Sequence, residues 1–218
     1  MKLSVEHILK PITHIINTSI KSGIVPPKMK IAKIVPIFKK GNVTDPANYR
    51  PVSLLPCLSK ILERVMYNKV IKFLDLHNIL YSHQYGFRTK PSTIHPIIHL
   101  LHDCANSYNK IPSEYTLAMF CDLSKAFDVI NHNTLLSKLS IYGIRGIALD
   151  WFKSYLSNRT QFVNICKFNS SELDIQYGVP QGSILGPLLF LLYVNDLSYL
   201  SDMNVLSLTL RSARPHIL

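Results

Sequence analysis

Three groups of residues in this sequence have the types and spacing for chemistry on phosphates. The first centres on Asp122, which follows the alternating run Tyr115 to Cys121 and precedes a helix-forming segment. A carboxylate leaving the end of a buried strand can reach a divalent ion. Metal-assisted phosphoryl transfer needs such oxygen ligands to activate the attacking oxygen and neutralise the leaving one. The same spacing equally lets Asp122 or Asp128 do no more than cap the next helix. The second group is Tyr177-Gly178-Val179-Pro180-Gln181-Gly182-Ser183, between an expected strand and an apolar helix. Two glycines there permit close backbone approach to a ligand, and a glutamine amide can bond a sugar or a base edge. Taken alone, the run also reads as a turn and a helix cap. The third group, Lys39-Lys40-Gly41 with Tyr49-Arg50-Pro51, sets cations on either side of a loop. Arg50 could hold a triphosphate bidentately and a lysine could add a point charge, although charge runs of this kind are commonly only solvated.

His95, His99 and His102 lie at i, i+4 and i+7, a spacing that presents imidazoles on one helix face to zinc, with Asp103 and Cys104 beside them. Cys104 points away from His99 on a helix and Pro96 disturbs the first turn, so a polar helix face is the better reading. Cys57, Cys104, Cys121 and Cys166 form no C-x-x-C pair, and four free thiols in a reducing compartment are expected.

Positioning these groups takes a succession of helices and strands. Apolar spacing predicts a first helix capped by Ser4, kinked at Pro11 and ended before Gly23. Lys28 to Phe38, interrupted by Pro36, reads as a short edge strand. Ser59 to Leu76 is helical, with Ile61, Leu62, Val65, Met66, Val70 and Phe73 on one side and Lys60, Arg64, Lys69 and Lys72 mostly on the other. Ile94 to Tyr108 is a further helix. Tyr115 to Asp122 alternates as a buried strand, and two helices follow, around Leu135 to Tyr142 and Ala148 to Leu156. Gln161 to Cys166 and Leu173 to Tyr177 form a strand pair turning near Asn169 and Ser170, then come a helix from Gly186 to Leu197 and a strand from Val205 to Leu210. Irregular mixing of helices and hairpin strands predicts an α+β fold.

The chain has 218 residues, 47% apolar and 17% charged, and a net charge of +11. This composition excludes a disordered tail. Residues 1–72 hold 13 Lys or Arg against Glu6, Asp45 and Glu63, a surplus of +10, so the rest of the chain carries +1. A surplus confined to one third of the chain is the footprint of a surface that meets phosphates, on nucleic acid or on an acidic membrane. The longest apolar run, Ile184 to Val194, is broken by Gly186 and Pro187 and is too short to span a bilayer, and Met1 to Lys10 lacks the core of a secretory signal.

Five ordered motifs resemble the reverse transcriptases of non-LTR (LINE-type) retrotransposons. Lys33-Ile34-Val35-Pro36-Ile37-Phe38-Lys39-Lys40-Gly41, Asn48-Tyr49-Arg50-Pro51-Val52-Ser53-Leu54-Leu55 and Gln84-Tyr85-Gly86-Phe87-Arg88 are similar to that family's fingers motifs. Phe120-Cys121-Asp122-Leu123-Ser124-Lys125-Ala126-Phe127-Asp128 and Gly178-Val179-Pro180-Gln181-Gly182-Ser183-Ile184-Leu185-Gly186-Pro187 are similar to its first two palm motifs. The likeness runs from about Lys28 to Leu197.

The resemblance implies a right-hand polymerase fold, with a fingers-like region over 1–114, a partial palm over 115–210 and an aberrant tail over 211–218. It implies RNA-directed DNA synthesis by two-magnesium nucleotidyl transfer on an RNA template, a DNA primer and deoxynucleoside triphosphates, with Mg2+ as cofactor and no membrane. Asp122 would ligate both metals and the Leu123 carbonyl one of them. Arg50 with Lys39 or Lys40 would hold the triphosphate, Phe127 would exclude a ribose 2′-hydroxyl, and Gln181 and Gly182 would touch nucleotide and template. Asp128, His132, Trp151, Gln84 and Arg88 also match the family's pattern and take structural roles. In that family a strand leads from Asn195-Asp196-Leu197 into a hairpin bearing an aromatic residue, Ala, Asp and Asp. Here Val205 to Leu210 reads as that strand, Arg211 to Leu218 hold no acid, and Asp202 is the only carboxylate past Asp196. The expectation is a frameshifted or misspliced chain cut before the Asp-Asp pair, without thumb and inactive as encoded; the alternative is a catalytically dead nucleic-acid-binding remnant. An intracellular protein is implied, with no choice between nucleus and cytoplasm and none of oligomeric state.

Overall fold

A computed structural model of the chain describes residues 5–86, 94–118, 120, 123 and 125–199. Ser4, Phe87, Arg88, Asp122, the expected strand Val205 to Leu210 and the tail 211–218 lie outside these. Helix α1 (Val5–Ser22) runs through Pro11. It stops at Gly23, whose φ of +70° suits a residue without Cβ. It packs on α5 (Ile147–Leu156), where the Trp151 indole donates to Ser19 Oγ at 3.1 Å.

The sheet contains β1 (Ile31–Phe38), β2 (Tyr49–Leu54), β3 (Arg159–Ile165), the two-residue β4 (Phe168–Asn169) and β5 (Leu173–Ile175). Its order is β2-β1-β3-β4, with β5 also on β3. The expected edge strand is therefore an inner strand: β1 pairs antiparallel with β2 and parallel with β3. Pro36 permits this because it lies opposite Pro51 and beyond the β3 pairing, which ends at Ile34. Lys39 donates to the Asn48 carbonyl, so odd residues of β1 take the hydrogen-bonded positions and the two prolines face each other where neither needs an N–H.

Helices α2 (Cys57–Leu76), α4 (His132–Ile141), α5 and α6 (Gly186–Val194) build the main core. Leu62, Met66, Val70 and Leu74 come from α2, Leu135 and Leu139 from α4, Trp151, Phe152, Tyr155 and Leu156 from α5. Leu188 to Leu192 are buried on every side of α6, which explains why that segment shows no polar face. The five-residue 3-10 helix Asn195–Tyr199 continues it. On α2 the expected apolar side is rotated: Ile61 is exposed and Glu63 is buried instead.

Tyr115 to Ala118 do not form the buried strand expected there, and Met119, Cys121 and Asp122 lie outside the described residues. Residues 115–118 have no regular structure, and Tyr115, Leu117 and Phe120 are 102%, 78% and 86% exposed. Alternating apolar residues make a strand only where a neighbouring edge accepts their backbone groups, and the described residues offer this segment none. Helix α3 (His95–Tyr108) leaves Ile97, Ile98 and Leu101 exposed. The His95 ring stacks on Tyr85 at 6.3 Å, and His99 lies 5.7 Å from Tyr85 and 5.6 Å from His83, so the histidine face meets aromatic rings. Among the described residues no group of three or more His, Cys, Asp or Glu could hold a metal ion, and no helix is long and apolar enough to cross a membrane. Cys57, Cys104 and Cys166 are free.

Candidate active site

The loop Gly178–Ser183 is fastened to three elements distant in sequence. Its entry is zipped to the turn after Lys125: Gly178 N–H donates to the Ile130 carbonyl and Val179 N–H to the Phe127 carbonyl, both at 2.8 Å. A Cβ on Gly178 would stand 2.7 Å from Phe127 O and 2.8 Å from Asp128 Cα, and its φ is +80°. His132 Nε2 lies 2.7 Å from the Gly178 carbonyl, which gives that histidine the supporting role expected of it. Further along, Ser53 N–H of β2 donates to the Gln181 carbonyl at 2.8 Å. Gly182, with φ +117°, would place a Cβ 2.9 Å from Ser53 O. Sequence spacing suggested that the two glycines let a ligand approach; the backbone they admit is the protein's own.

The loop ends in a helix start. Ser183 Oγ accepts the Gly186 N–H at 2.9 Å and donates to the Pro180 carbonyl at 2.9 Å, closing the turn that leads into α6. The turn reading of this run is thus correct, whereas the N-cap of α6 is Leu185 and carries no side-chain cap bond; the contacts to Phe127, Asp128 and Ser53 are added to the turn. Gln181 Nε2 reaches both oxygens of Asp128, at 2.8 and 3.0 Å. Phe127 packs its ring on Phe190 of α6, centroids 5.3 Å apart.

Beneath the loop lies a residue that sequence reasoning missed. Glu63 of α2 is 1% exposed, and its Oε2 accepts the Ile184 N–H at 2.6 Å while its Oε1 accepts the Tyr155 hydroxyl at 3.0 Å. Burial pushes the carboxyl above its ordinary value, and the Ile184 amide, the Tyr155 hydroxyl and Arg159 pull partly against that. Burial and the neighbouring Glu63 raise the Tyr155 hydroxyl well above its usual range, so it stays a donor. Arg159, fully buried, sits over the Tyr155 ring at 4.8 Å and donates Nη1 to the Tyr155 carbonyl; its Nε and Nη2 have no hydrogen-bond partner among the described residues. The available signal was positional. Ser59, Glu63, Met66 and Val70 share one helical stripe, and a carboxylate within an otherwise buried stripe calls for partners.

Lys39, Lys40 and Arg50 are exposed at the far end of the β1–β2 hairpin. Arg50 pairs with Ile37, and the face they share continues two residues on to Lys39, leaving Lys40 on the opposite side. Leu123 is exposed, and Asp122 lies outside the described residues. The structure therefore brings Gln181 and Gly182 against β2 and the Phe127–Asp128 turn, with Arg50 three residues from the Ser53 contact. It shows no direct contact between the cations and the loop.

Comparison with known proteins agrees with this arrangement of motifs. Residues 37–205 match the family described as reverse transcriptase (RNA-dependent DNA polymerase). The chain is 33% identical over 190 residues to the probable RNA-directed DNA polymerase from transposon X-element of Drosophila melanogaster, covering 85% of this chain and 20% of that protein. It is 35% identical over 190 residues to the corresponding protein from transposon BS of the same fly, covering 84% and 20%. To the RNA-directed DNA polymerase from mobile element jockey it is 33% identical over 201 residues, covering 90% and 21%. The chain thus spans about a fifth of the length of these curated relatives. It belongs to the reverse transcriptase family, in its non-LTR retrotransposon type.

Proposed function

We propose that this chain supplies the nucleotide- and template-holding part of an RNA-directed DNA polymerase, with residues 1–114 on the fingers side and 115–210 on the palm side of a right-hand fold. Its partners are an RNA template, a DNA primer and deoxynucleoside triphosphates. One observation carries the reading: Ser53 of the second fingers motif, Gln181 of the second palm motif and Asp128 of the first meet at 2.8 Å hydrogen bonds although they lie far apart in sequence. Arg50 with Lys39, on one face of the hairpin, holds the triphosphate. Phe127, its ring fixed against Phe190, stands beneath the sugar and excludes a 2′-hydroxyl by sterics. Gln181 and Gly182 meet nucleotide and template.

Carboxylate and carbonyl oxygens are the donors magnesium takes. Asp128 has both oxygens on Gln181; the resemblance implies that Asp122 and the Leu123 carbonyl would hold the ion. Magnesium bound there would supply activation of the primer hydroxyl and neutralisation of the departing pyrophosphate.

The test is binding of a deoxynucleoside triphosphate, in magnesium, to the chain with an RNA–DNA template–primer. Arg50→Ala removes a charge-assisted hydrogen-bond partner worth about 1.5–3 kcal/mol, so affinity should fall roughly ten- to a hundredfold. Nucleotide affinity unchanged in both Arg50→Ala and Gln181→Ala would overturn the assignment.

A further inference from the structure

We propose that Asp128 is a positioning residue that fixes which end of the Gln181 amide faces the ligand, and so makes Gln181 a reader of hydrogen-bond donors. A side-chain amide has a donor end and an acceptor end and can turn either toward a ligand. A carboxylate only accepts. With Gln181 Nε2 held at 2.8 and 3.0 Å from the two Asp128 oxygens, the amide nitrogen is committed and Oε1 is directed away from Asp128. The main chain at each end of this contact is fixed independently. Asp128 is held between its own N–H bond to Lys125 O and the Val179-to-Phe127 bond, both at 2.8 Å, and Gly178 packs on its Cα. Gln181 is held through its carbonyl by Ser53. The side-chain pair therefore joins two anchored backbones and needs no ordering at the moment a ligand arrives.

A ligand group that meets Oε1 must be a hydroxyl or an amino group. An ether or carbonyl oxygen at the same place would face a second acceptor and be left unpaired. Two sources carry that chemistry, a sugar hydroxyl of the nucleotide and an exocyclic amine of a base. The ligand half of the proposal rests on the nucleotide-holding reading above, whereas the clamp itself does not.

The experiment has two arms on the full chain. In the first, the side-chain amide signals of Gln181 are followed by nitrogen-15 NMR without ligand. Asp128→Ala should merge and shift them and speed their exchange with solvent, and Asp128→Asn, which keeps one acceptor but adds a donor, should preserve them only in part. Signals indifferent to Asp128→Ala overturn the clamp. In the second arm, binding of a deoxynucleoside triphosphate is compared with that of its dideoxy analogue, and templates carrying guanine are compared with templates carrying hypoxanthine, which lacks the amine. One of the two comparisons should show about tenfold discrimination in the native chain, which names the source. Asp128→Ala should abolish that ratio while thermal stability stays within the native range, and Asp128→Asn, whose NH2 can donate to Oε1 and turn the amide round, should reduce it. No discrimination in either comparison, or discrimination that survives Asp128→Ala, overturns the donor-reading role. A native chain that binds no nucleotide at all sinks the nucleotide-holding reading and the donor-reading role with it, while the NMR arm still decides the clamp.

Discussion

Replacing Glu63 by Gln tests whether the loop is held from beneath. The substitution keeps size and shape and removes the charge. The native carboxylate accepts the Ile184 N–H at 2.6 Å on one oxygen and the Tyr155 hydroxyl at 3.0 Å on the other, with Ser59 Oγ at 3.5 Å from the latter. A glutamine has a single acceptor oxygen, so its NH2 must face one of these donors. A buried donor left unmatched costs about 1–3 kcal/mol. Arg159, whose Nε and Nη2 are already unpartnered, also loses the negative charge beside it. The pull of Arg159 on Glu63 is only Coulombic and ranks behind burial and the two hydrogen bonds, so the unmatched donor sets the cost. The expected destabilisation is therefore about 1–3 kcal/mol. Tyr155→Phe removes one donor only and should cost about 1–2 kcal/mol. Urea unfolding at neutral pH reads both as shifts in midpoint with unchanged slope, and amide exchange at Ile184 should quicken more in Glu63→Gln than in Tyr155→Phe. A Glu63→Gln chain within about 0.5 kcal/mol of the native one, the scale of ordinary surface changes, would refute the reasoning.

Three further outcomes follow from the same geometry. Burial raises the Glu63 carboxyl, so the folded state holds that proton more tightly than the unfolded chain; this contribution to stability is full below the ordinary carboxylate value and is lost as pH rises through the raised one. The native-minus-Glu63→Gln difference in unfolding free energy should accordingly drop across that window, and a flat difference would count against it. Gly178→Ala should destabilise by about 2 kcal/mol or more, since it combines a left-handed backbone with a Cβ 2.7 Å from Phe127 O, and thermal unfolding checks this. RNA binding should weaken steeply with salt because residues 1–72 carry the positive surplus, and Lys39→Ala should reduce the log–log slope by roughly 0.7–0.9, as titrations at several salt concentrations will show.

How far the sequence could be read depended on whether a pattern reported a residue's own environment or a partner's. Helices α4 and α5 were legible because their apolar spacing marks the face each buries in the core, whereas α6 is buried on every side and the apolar side expected of α2 is rotated. Residue type singled out Gln181 between two glycines, and the structure places its side chain on Asp128 and its carbonyl on Ser53. Glu63 was legible only through its place in the Ser59, Met66 and Val70 stripe, which does not say that Ile184 and Tyr155 are its partners. Pro36 misled for a related reason. A proline forbids only one hydrogen bond, and pairing it with Pro51 puts the missing N–H where no ladder bond is due.

Ser53, in a non-hydrogen-bonded pair with Ile34, turns its N–H outward along the outer edge of β2. Gln181 takes that N–H through its carbonyl, and Gly182 lies so close that a Cβ would stand 2.9 Å from Ser53 O. The loop holds this edge by more than one bond, since its exit is tied to Glu63 through the Ile184 N–H and runs into the buried α6. The edge of a small sheet is thereby spent on placing one glutamine, and the Asp128 contact then decides how that glutamine faces.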